Sequence, residues 1–418
     1  MKAASEALLA KEQMREGTTV ATAAAALFKA VVGTGIFALP PAIRASGIVL
    51  GSAMSVLMGM VSLYTTWAML ECVRELRRRG HAKDNDGRIE YTDVTALYSP
   101  RWESIVTVLC VVGQLGSALG FFAFICDSVQ PLIGLSPAHV YAAIALLEVP
   151  LVLLRDTSHP AFEAAMTFGN VAVALALGTV IWGTLYAPSA DYPHPDPSEL
   201  QLADSGGLGL LFGVTLIMFS CHLEAVSIEQ DMAQREHFDW VVNATFLVLV
   251  LVFLGFGLLV YASLGEATGR VHADANVSGG WVEATIMSNL EDGAFVITVK
   301  LLMSLNLVLM MPITLLPASR ALEALWAPCL GTSSWAHALL RLSMLVGLAV
   351  AAALFPSFEA IVGITGALGG ATCFTLPALC YAHFCCGEIP CRRGLAHAVA
   401  VFGLAGTAWS FVQQVAPQ

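Results

Sequence analysis

Long apolar runs, separated by short polar stretches, cut the chain into eleven segments close to the length a helix needs to cross a bilayer, about 18 residues or more. They lie near 19–45, 47–73, 102–131, 138–154, 161–187, 208–232, 239–264, 293–317, 336–355, 357–384 and 395–412. The pattern predicts an all-α polytopic membrane protein. Only Pro356-Ser357 divides the ninth run from the tenth, so that boundary is the least defined. The organisation expected is a short leading segment over 1–18, five spans over 19–187, an outer loop over 188–207, five more spans over 208–384, and an eleventh span with its tail over 395–418.

Two of the runs are interrupted. Residues 28–40 read FKAVVGTGIFALP, placing Gly33-Thr34-Gly35 inside the first span. Glycine lacks Cβ and weakens a helix, and a broken membrane helix is tolerated only where its freed backbone groups line a cavity. Five spans later, 210–232 read LLFGVTLIMFSCHLEAVSIEQDM, which sets Ser220, Cys221, His222 and Glu224 at membrane depth directly after Phe219. Titratable groups there are costly and point to function, although a lone histidine can also serve helix packing. Glu229 and Asp231 fit the end of that span. Matching interruptions five spans apart are the pattern of an inverted repeat of five plus five helices. A solute carrier is the expectation.

Composition agrees: 57% of residues are hydrophobic, 12% are charged, and the mean hydropathy is +0.74, a balance foreign to soluble domains. Of the 20 Lys and Arg, only Arg270 falls on a clear outer loop, while Lys29, Arg44 and Lys300 lie within or at the ends of spans. Basic residues collect on the cytoplasmic side, so the N-terminus is expected inside. The net charge of −11 is concentrated on outer loops, at Asp191, Asp196, Glu199, Asp204, Glu266, Asp274, Glu283, Glu291 and Asp292. No nucleic-acid surface is implied. The sequon at Asn276 falls on an outer loop, where it is a glycosylation candidate. None of the 10 cysteines lies on an outer loop, which argues against extracellular disulfides. Cys385, Cys386 and Cys391 follow span 10, as reduced structural thiols or as palmitoylation sites. The first 18 residues are charged and lack an apolar core, so no signal peptide is expected.

Further polar residues mark spans 3, 4 and 8. Gln114 could line a polar cavity or bond a neighbouring helix, and Asp127 lies near the outer end of span 3. Glu148 sits deeper in span 4, as a packing acid or a proton carrier. Span 8 reads VKLLMSLNLVLMMPITLLPASR, in which Pro312 and Pro317 should bend the helix while Ser304 and Asn306 could face a site.

These residues resemble the amino acid/auxin permease family of secondary amino-acid transporters over nearly the whole chain. LFKAVVGTGIFALPPAIRASGIVLG looks like its opening motif, in the form of the proton-coupled and vacuolar branches, as does GQLGSALGFFAFICD in span 3. CHLEAVSIEQDM is similar to the Cys-His-Pro-Glu sixth span of the sodium-coupled neutral branch, with Leu223 in place of the proline; MPITLLPASR matches the same branch. SFEAIVGITGALGGATCFTLPAL resembles a general family signature. The resemblance implies a LeuT-like fold, spans 1 to 5 and 6 to 10 related by inversion, with one helix outside the repeat. It also implies that the backbone around Gly33, Thr34 and Gly35 receives an amino acid's carboxylate. The carbonyls of Phe219, Ser220 and Cys221, with Thr34, become candidates for its ammonium, and His222 and Glu224 become gate or proton-relay residues.

Lys29 carries the question of coupling. It lies one helical turn before Gly33, where sodium-coupled relatives have an asparagine that holds the ion with span 8. A lysine could occupy that ion site and carry a proton instead, because burial taxes its charged form; alternatively it snorkels toward the inner interface. Proton coupling is expected, with sodium coupling as the alternative and no other cofactor. Gln114, Asp127, Ser304 and Asn306 join Lys29, His222 and Glu224 as candidate coupling or gating residues. The expected partners are a small neutral amino acid and the lipid bilayer, in a plasma, vacuolar or lysosomal membrane. Amino-acid sensing with little flux is the other reading, disfavoured by the short leading segment. No metal site or triad is in evidence, so no enzyme is expected.

Overall fold

The computed structural model describes residues 17–81, 89–153, 160–186, 194–272, 281–283, 286–290, 293–330, 333–354, 369–387 and 389–415. Span 1 begins where extended Thr19 caps helix Val20–Val31, its Oγ1 accepting the Thr22 N–H at 3.2 Å. The backbone leaves the helical region at Val32 and Gly33, then resumes as a 3-10 turn, Thr34–Ala38, and a second helix, Leu39–Ser46. Pro40 and Pro41 stand in the first turn of that helix, where a missing N–H breaks no bond. The two halves are bent by 48°.

Span 6 is likewise two helices, Leu208–Met218 and His222–Asp231, parted at Phe219 to Cys221. The other spans are Ile48–Arg78 (2), Glu103–Ile133 (3), Pro137–Val152 (4), Pro160–Tyr186 (5), Phe238–Leu264 (7), Ala294–Leu330 (8), Ser334–Leu354 (9) and Pro390–Val415 (11). Described span 10 comprises a π-helix, Gly370–Thr375, and helix Leu376–Phe384; the span's first part, 357–368, lies outside the described residues. A short helix, Tyr91–Tyr98, lies between spans 2 and 3. Among the described residues seven helices are long and apolar enough to cross a membrane, eight if the bent pair of span 1 is one span, where the apolar runs predicted eleven. Span 4, at 16 residues, is shorter than the expected run. Among the described residues the one sheet is a small antiparallel hairpin after span 7, pairing Arg270–His272 with Trp281–Glu283.

Span 8 runs as one helix through both Pro312 and Pro317 and packs chiefly on spans 3 and 5. Span 11 is docked rather than peripheral. A Cβ on Gly406 would collide with the ring of Phe212 in span 6, and one on Gly403 would meet Phe374 of span 10 at 2.8 Å. The end of the bundle that carries the arginine clusters, here the basic end, is closed by backbone and charge. Thr18 pairs with the chain after span 6, through Thr18 N–H to Asp231 O at 2.9 Å and Ala233 N–H to Thr18 O at 3.1 Å. Arg320 reaches Asp231 at 3.0 Å and Glu90 at 3.2 Å, and Arg77 reaches Glu229 at 3.1 Å. Both acids of the span 6 end are thus paired, as their position in the sequence suggests. At the opposite end the 201–204 segment lies along the turn between spans 1 and 2, where Gly47 adopts φ +78°, with Ile48 N–H to Gln201 O at 3.0 Å.

Candidate functional site

The two interruptions flank one cavity of about 120 Å³ at the middle of the bundle. A water needs about 10–15 Å³ by the same measure, so a small solute fits. Span 1 contributes Ala30, Val31, Gly33 and Gly35, and span 6 contributes Ile217, Met218, Ser220, His222, Leu223 and Glu224. Opposite them stand Met310 and Thr314 of span 8, and Gly369, Thr372 and Cys373 of span 10. The fourth wall is span 3, through Cys110, Gly113, Gln114, Gly116, Ser117, Gly120 and Phe121.

Local chemistry explains the exposed backbone. Gly33 precedes the 3-10 turn and offers no side-chain cap, so the first N–H groups of span 1's second half have no intrahelical partner. The second half of span 6 also begins beside the cavity, again without a side-chain cap from Cys221. Both helix starts bring partial positive charge to the same space.

The expected residues fall into three groups. Gly33, Gly35, Ser220, His222, Glu224 and Gln114 line the cavity. Gln114 Nε2 donates to Glu224 Oε1 at 2.7 Å, and His222 Nε2 lies 2.8 Å from Thr65 Oγ1 of span 2. His222 Nδ1 has no hydrogen-bond partner among the described residues. Ser220 Oγ donates to Ile217 O at 2.8 Å, within its own helix end. The side chain of Thr34 and the sequon at Asn276 lie outside what is described.

A second group sits behind the wall. Phe219 and Cys221 are buried but are not among the residues lining the cavity. The Phe219 carbonyl, freed by the break, accepts Ser62 Oγ at 2.6 Å, and its ring packs between Phe246 and Phe253. Cys221 O accepts the Ala225 N–H at 2.8 Å. Lys29 is fully buried, turned to span 8 rather than outward. Its Nζ donates to the backbone oxygen of Asn306 at 2.7 Å and to the same residue's Oδ1. Asn306 Nδ2 in turn reaches Val32 O at 3.4 Å, so one lysine–asparagine pair joins span 8 to the edge of the break. Gly169 of span 5 makes room for the amine; a Cβ there would strike it. Among the described residues no carboxylate lies within ion-pair distance of Lys29. Ser304 is buried, with its hydroxyl unpartnered among the described residues, and does not line the cavity.

Asp127 forms the third group by itself. It is exposed toward the far end of span 3 and is not brought to the site.

Of the span 3 wall only Gln114 was expected. Around it Cys110, Gly113, Ser117, Gly120 and Phe121 recur at the three- and four-residue spacing of one helix face. The small residues of that stripe were the available signal. The π-helix of span 10 had none, since it is defined by hydrogen-bond register.

A protein-family model described as "Transmembrane amino acid transporter protein" matches residues 16–416. The chain belongs to that family. Among its relatives is "Vacuolar amino acid transporter 3" of Schizosaccharomyces pombe, 22% identical over 71% of this chain. The chain spans 42% of that relative's length. "Amino acid transporter ANT1" of Arabidopsis thaliana is 23% identical over 83% of this chain and 81% of its own length. "Amino acid transporter AVT3B" of the same plant is 22% identical over 93% and 92%. Among solved structures, a Na+-coupled sialic acid symporter superposes with a TM-score of 0.60 at 9% identity, covering 95% of this chain and 90% of that one. A manganese transporter of Eremococcus coleocola gives 0.57 at 11% identity, over 98% and 88%. At these identities the likeness concerns the fold alone, which is the LeuT-like fold of secondary transporters. For this family member, the fold that the interrupted spans implied is therefore the observed one.

Proposed function

We propose that the chain carries a small neutral amino acid across a membrane by alternating access, driven by a proton. One observation supports this most: the cavity lies where the interrupted helices meet, with two helix starts aimed into it. The substrate's carboxylate rests on the backbone of Gly33, Thr34 and Gly35, and its ammonium faces the Ser220 end of the other break. Phe219 and Cys221 then act by shaping that break. Glu224, held by Gln114, and His222, held by Thr65, serve as gate or proton relay. No lysine or arginine lines the cavity among the described residues, which suits a neutral side chain.

Lys29 supplies the coupling. It stands between spans 1 and 8 with two neutral oxygens as acceptors, a setting in which one proton can be loaded and released as the surroundings open and close. The same place in a sodium-coupled protein would hold an ion against oxygen ligands, and an amine fills it here. The arginine-rich end faces the cytosol in this reading, and the vacuolar names of several relatives favour a vacuolar or lysosomal membrane. The test is uptake into proteoliposomes of a panel of radiolabelled amino acids, with and without sodium, at two outer pH values. Uptake of small neutral amino acids should rise at acidic outer pH and persist without sodium. Uptake that vanishes with sodium and ignores the pH gradient would overturn the coupling, and a panel with no flux at all would overturn the transport reading.

A further inference from the structure

Spans 2 and 10 meet along one face near the basic end. Tyr64 and Trp67 of span 2 pack edge-on against Tyr381, with ring centroids 6.2 and 5.4 Å apart. One and two turns further on, the same face of span 2 presents Ala68 and Cys72. At the end of the helix Arg79 Nη2 donates to the Phe384 carbonyl at 3.0 Å. Between these two anchors the Sγ atoms of Cys72 and Cys385 lie 3.8 Å apart, both as free thiols. Cys72 is fully buried, whereas Cys385, in the turn just after span 10, is partly exposed. A disulfide has a bond of about 2.05 Å, so closing the gap takes a movement of under about 2 Å, within reach of side-chain rotation.

We propose that Cys72 and Cys385 are an oxidant-sensitive pair whose disulfide fastens span 2 to span 10. A hydroperoxide is the oxidant. Cys385, the more accessible, gives up its proton and attacks one peroxide oxygen as the thiolate; the O–O bond breaks, Cys385 becomes a sulfenic acid, and the departing hydroxide takes a proton and leaves as water. The Cys72 sulfur then attacks the Cys385 sulfur and expels the hydroxyl as a second water. Two thiols lose two electrons and two protons in all, and the peroxide takes them up. A cellular thiol reductant reverses the change by exchange.

The bond would matter because of what each helix carries. Span 2 holds the break of span 6 through Ser62 on the Phe219 carbonyl and Thr65 on His222. Span 10 supplies the opposite wall through Gly369, Thr372 and Cys373. A covalent tie at the basic end prevents the two walls from parting there, and transport stops; this last step rests on the function proposed above.

The test uses the full chain in proteoliposomes exposed to hydrogen peroxide, with remaining thiols then blocked by N-ethylmaleimide and the digest read by mass spectrometry. The expected results are a peptide joining Cys72 to Cys385 and loss of amino-acid uptake to background, both reversed by dithiothreitol. Cys385→Ser and Cys72→Ala should keep their uptake under peroxide, and Cys391→Ser should behave as the parent. The pairing is overturned if Cys385 is recovered joined to Cys386 or Cys391, or only as a sulfenic acid. The arrest is overturned if the Cys385→Ser and Cys72→Ala proteins lose uptake to the same degree as the parent. A reduced protein with no uptake at all would instead count against the transport reading, and the peptide would still decide the pair.

Discussion

The two interrupted spans serve one cavity but are braced differently. In span 6 the carbonyl released at Phe219 is taken by Ser62 at 2.6 Å, its ring lies between two phenylalanines of span 7, and Thr65 holds the next half by His222. In span 1 the halves diverge by 48°, and the Val32 carbonyl is met by Asn306 at 3.4 Å through the residue that also receives Lys29. One break is pinned by short bonds to its neighbours. The other, among the described residues, is joined to span 8 through one lysine–asparagine pair. Elements with few fixed bonds supply the motion in a transport cycle, so we read span 1 as the part that moves and span 6 as the part it moves against.

That contrast can be broken most decisively at Lys29. Lys29→Ala should abolish the rise of uptake at acidic outer pH while sparing amino-acid exchange. Coupling between two ligands is worth about 1–3 kcal/mol, so a dependence of about 5- to 150-fold should flatten. Proteoliposome uptake at two outer pH values decides it, and a variant that keeps the parent's pH dependence would place the proton elsewhere. Asn306→Asp sharpens the point, since a carboxylate beside Lys29 would hold the proton permanently and should flatten the same dependence without removing the amine.

On the braced side, Glu224→Gln should weaken apparent substrate affinity by about 10- to 150-fold, the worth of a hydrogen bond to a charged group at 1.5–3 kcal/mol. Concentration dependence of uptake measures it, and an unchanged half-saturation would remove Glu224 from the binding and gating path. Ser62→Ala strands the Phe219 carbonyl and should cost about 1–3 kcal/mol of stability, read as a lower melting temperature in detergent, with the pH dependence of uptake unchanged. A loss of pH dependence in that variant would mean the two breaks are not separable. The smallest effect is expected away from both. Glu148 is fully buried in span 4, with neither oxygen partnered among the described residues, so Glu148→Met should raise the melting temperature slightly, because an unpaired buried carboxyl is a cost the fold carries. If uptake collapses instead, that acid belongs to the proton's route.

Much of the architecture was legible because membrane helices advertise themselves. Water-free surroundings demand long apolar runs, and each run with described residues overlaps an observed helix, though the ends differ, most in span 8, whose helix continues to Leu330. The breaks were legible for the same reason in reverse: Gly33 to Gly35 and Ser220 to Glu224 are conspicuous in a sequence that has few reasons to be polar. What stayed hidden depended on partners distant in the chain. Nothing near Lys29 announces Asn306, 277 positions away, or the gap at Gly169 that admits the amine. Asp127 shared a helix with Gln114, but the two point differently, and only Gln114 reaches the cavity. Phe219 and Cys221 adjoin Ser220 in sequence, yet all three lie in the break between the two helices of span 6, where no regular period says which side chain faces the cavity.

The π-helix at Gly370–Thr375 has a consequence for how span 10 keeps its neighbours. An inserted residue in an ordinary helix rotates everything beyond it by about 100°, which would tear span 10 from span 11 and from the Tyr91 hydroxyl on its Thr372 carbonyl. A wide turn absorbs one extra residue locally and leaves the flanks in place. Span 10 thus takes up its wide turn in the cavity wall itself, at Thr372 and Cys373, while its packing on span 11 is kept.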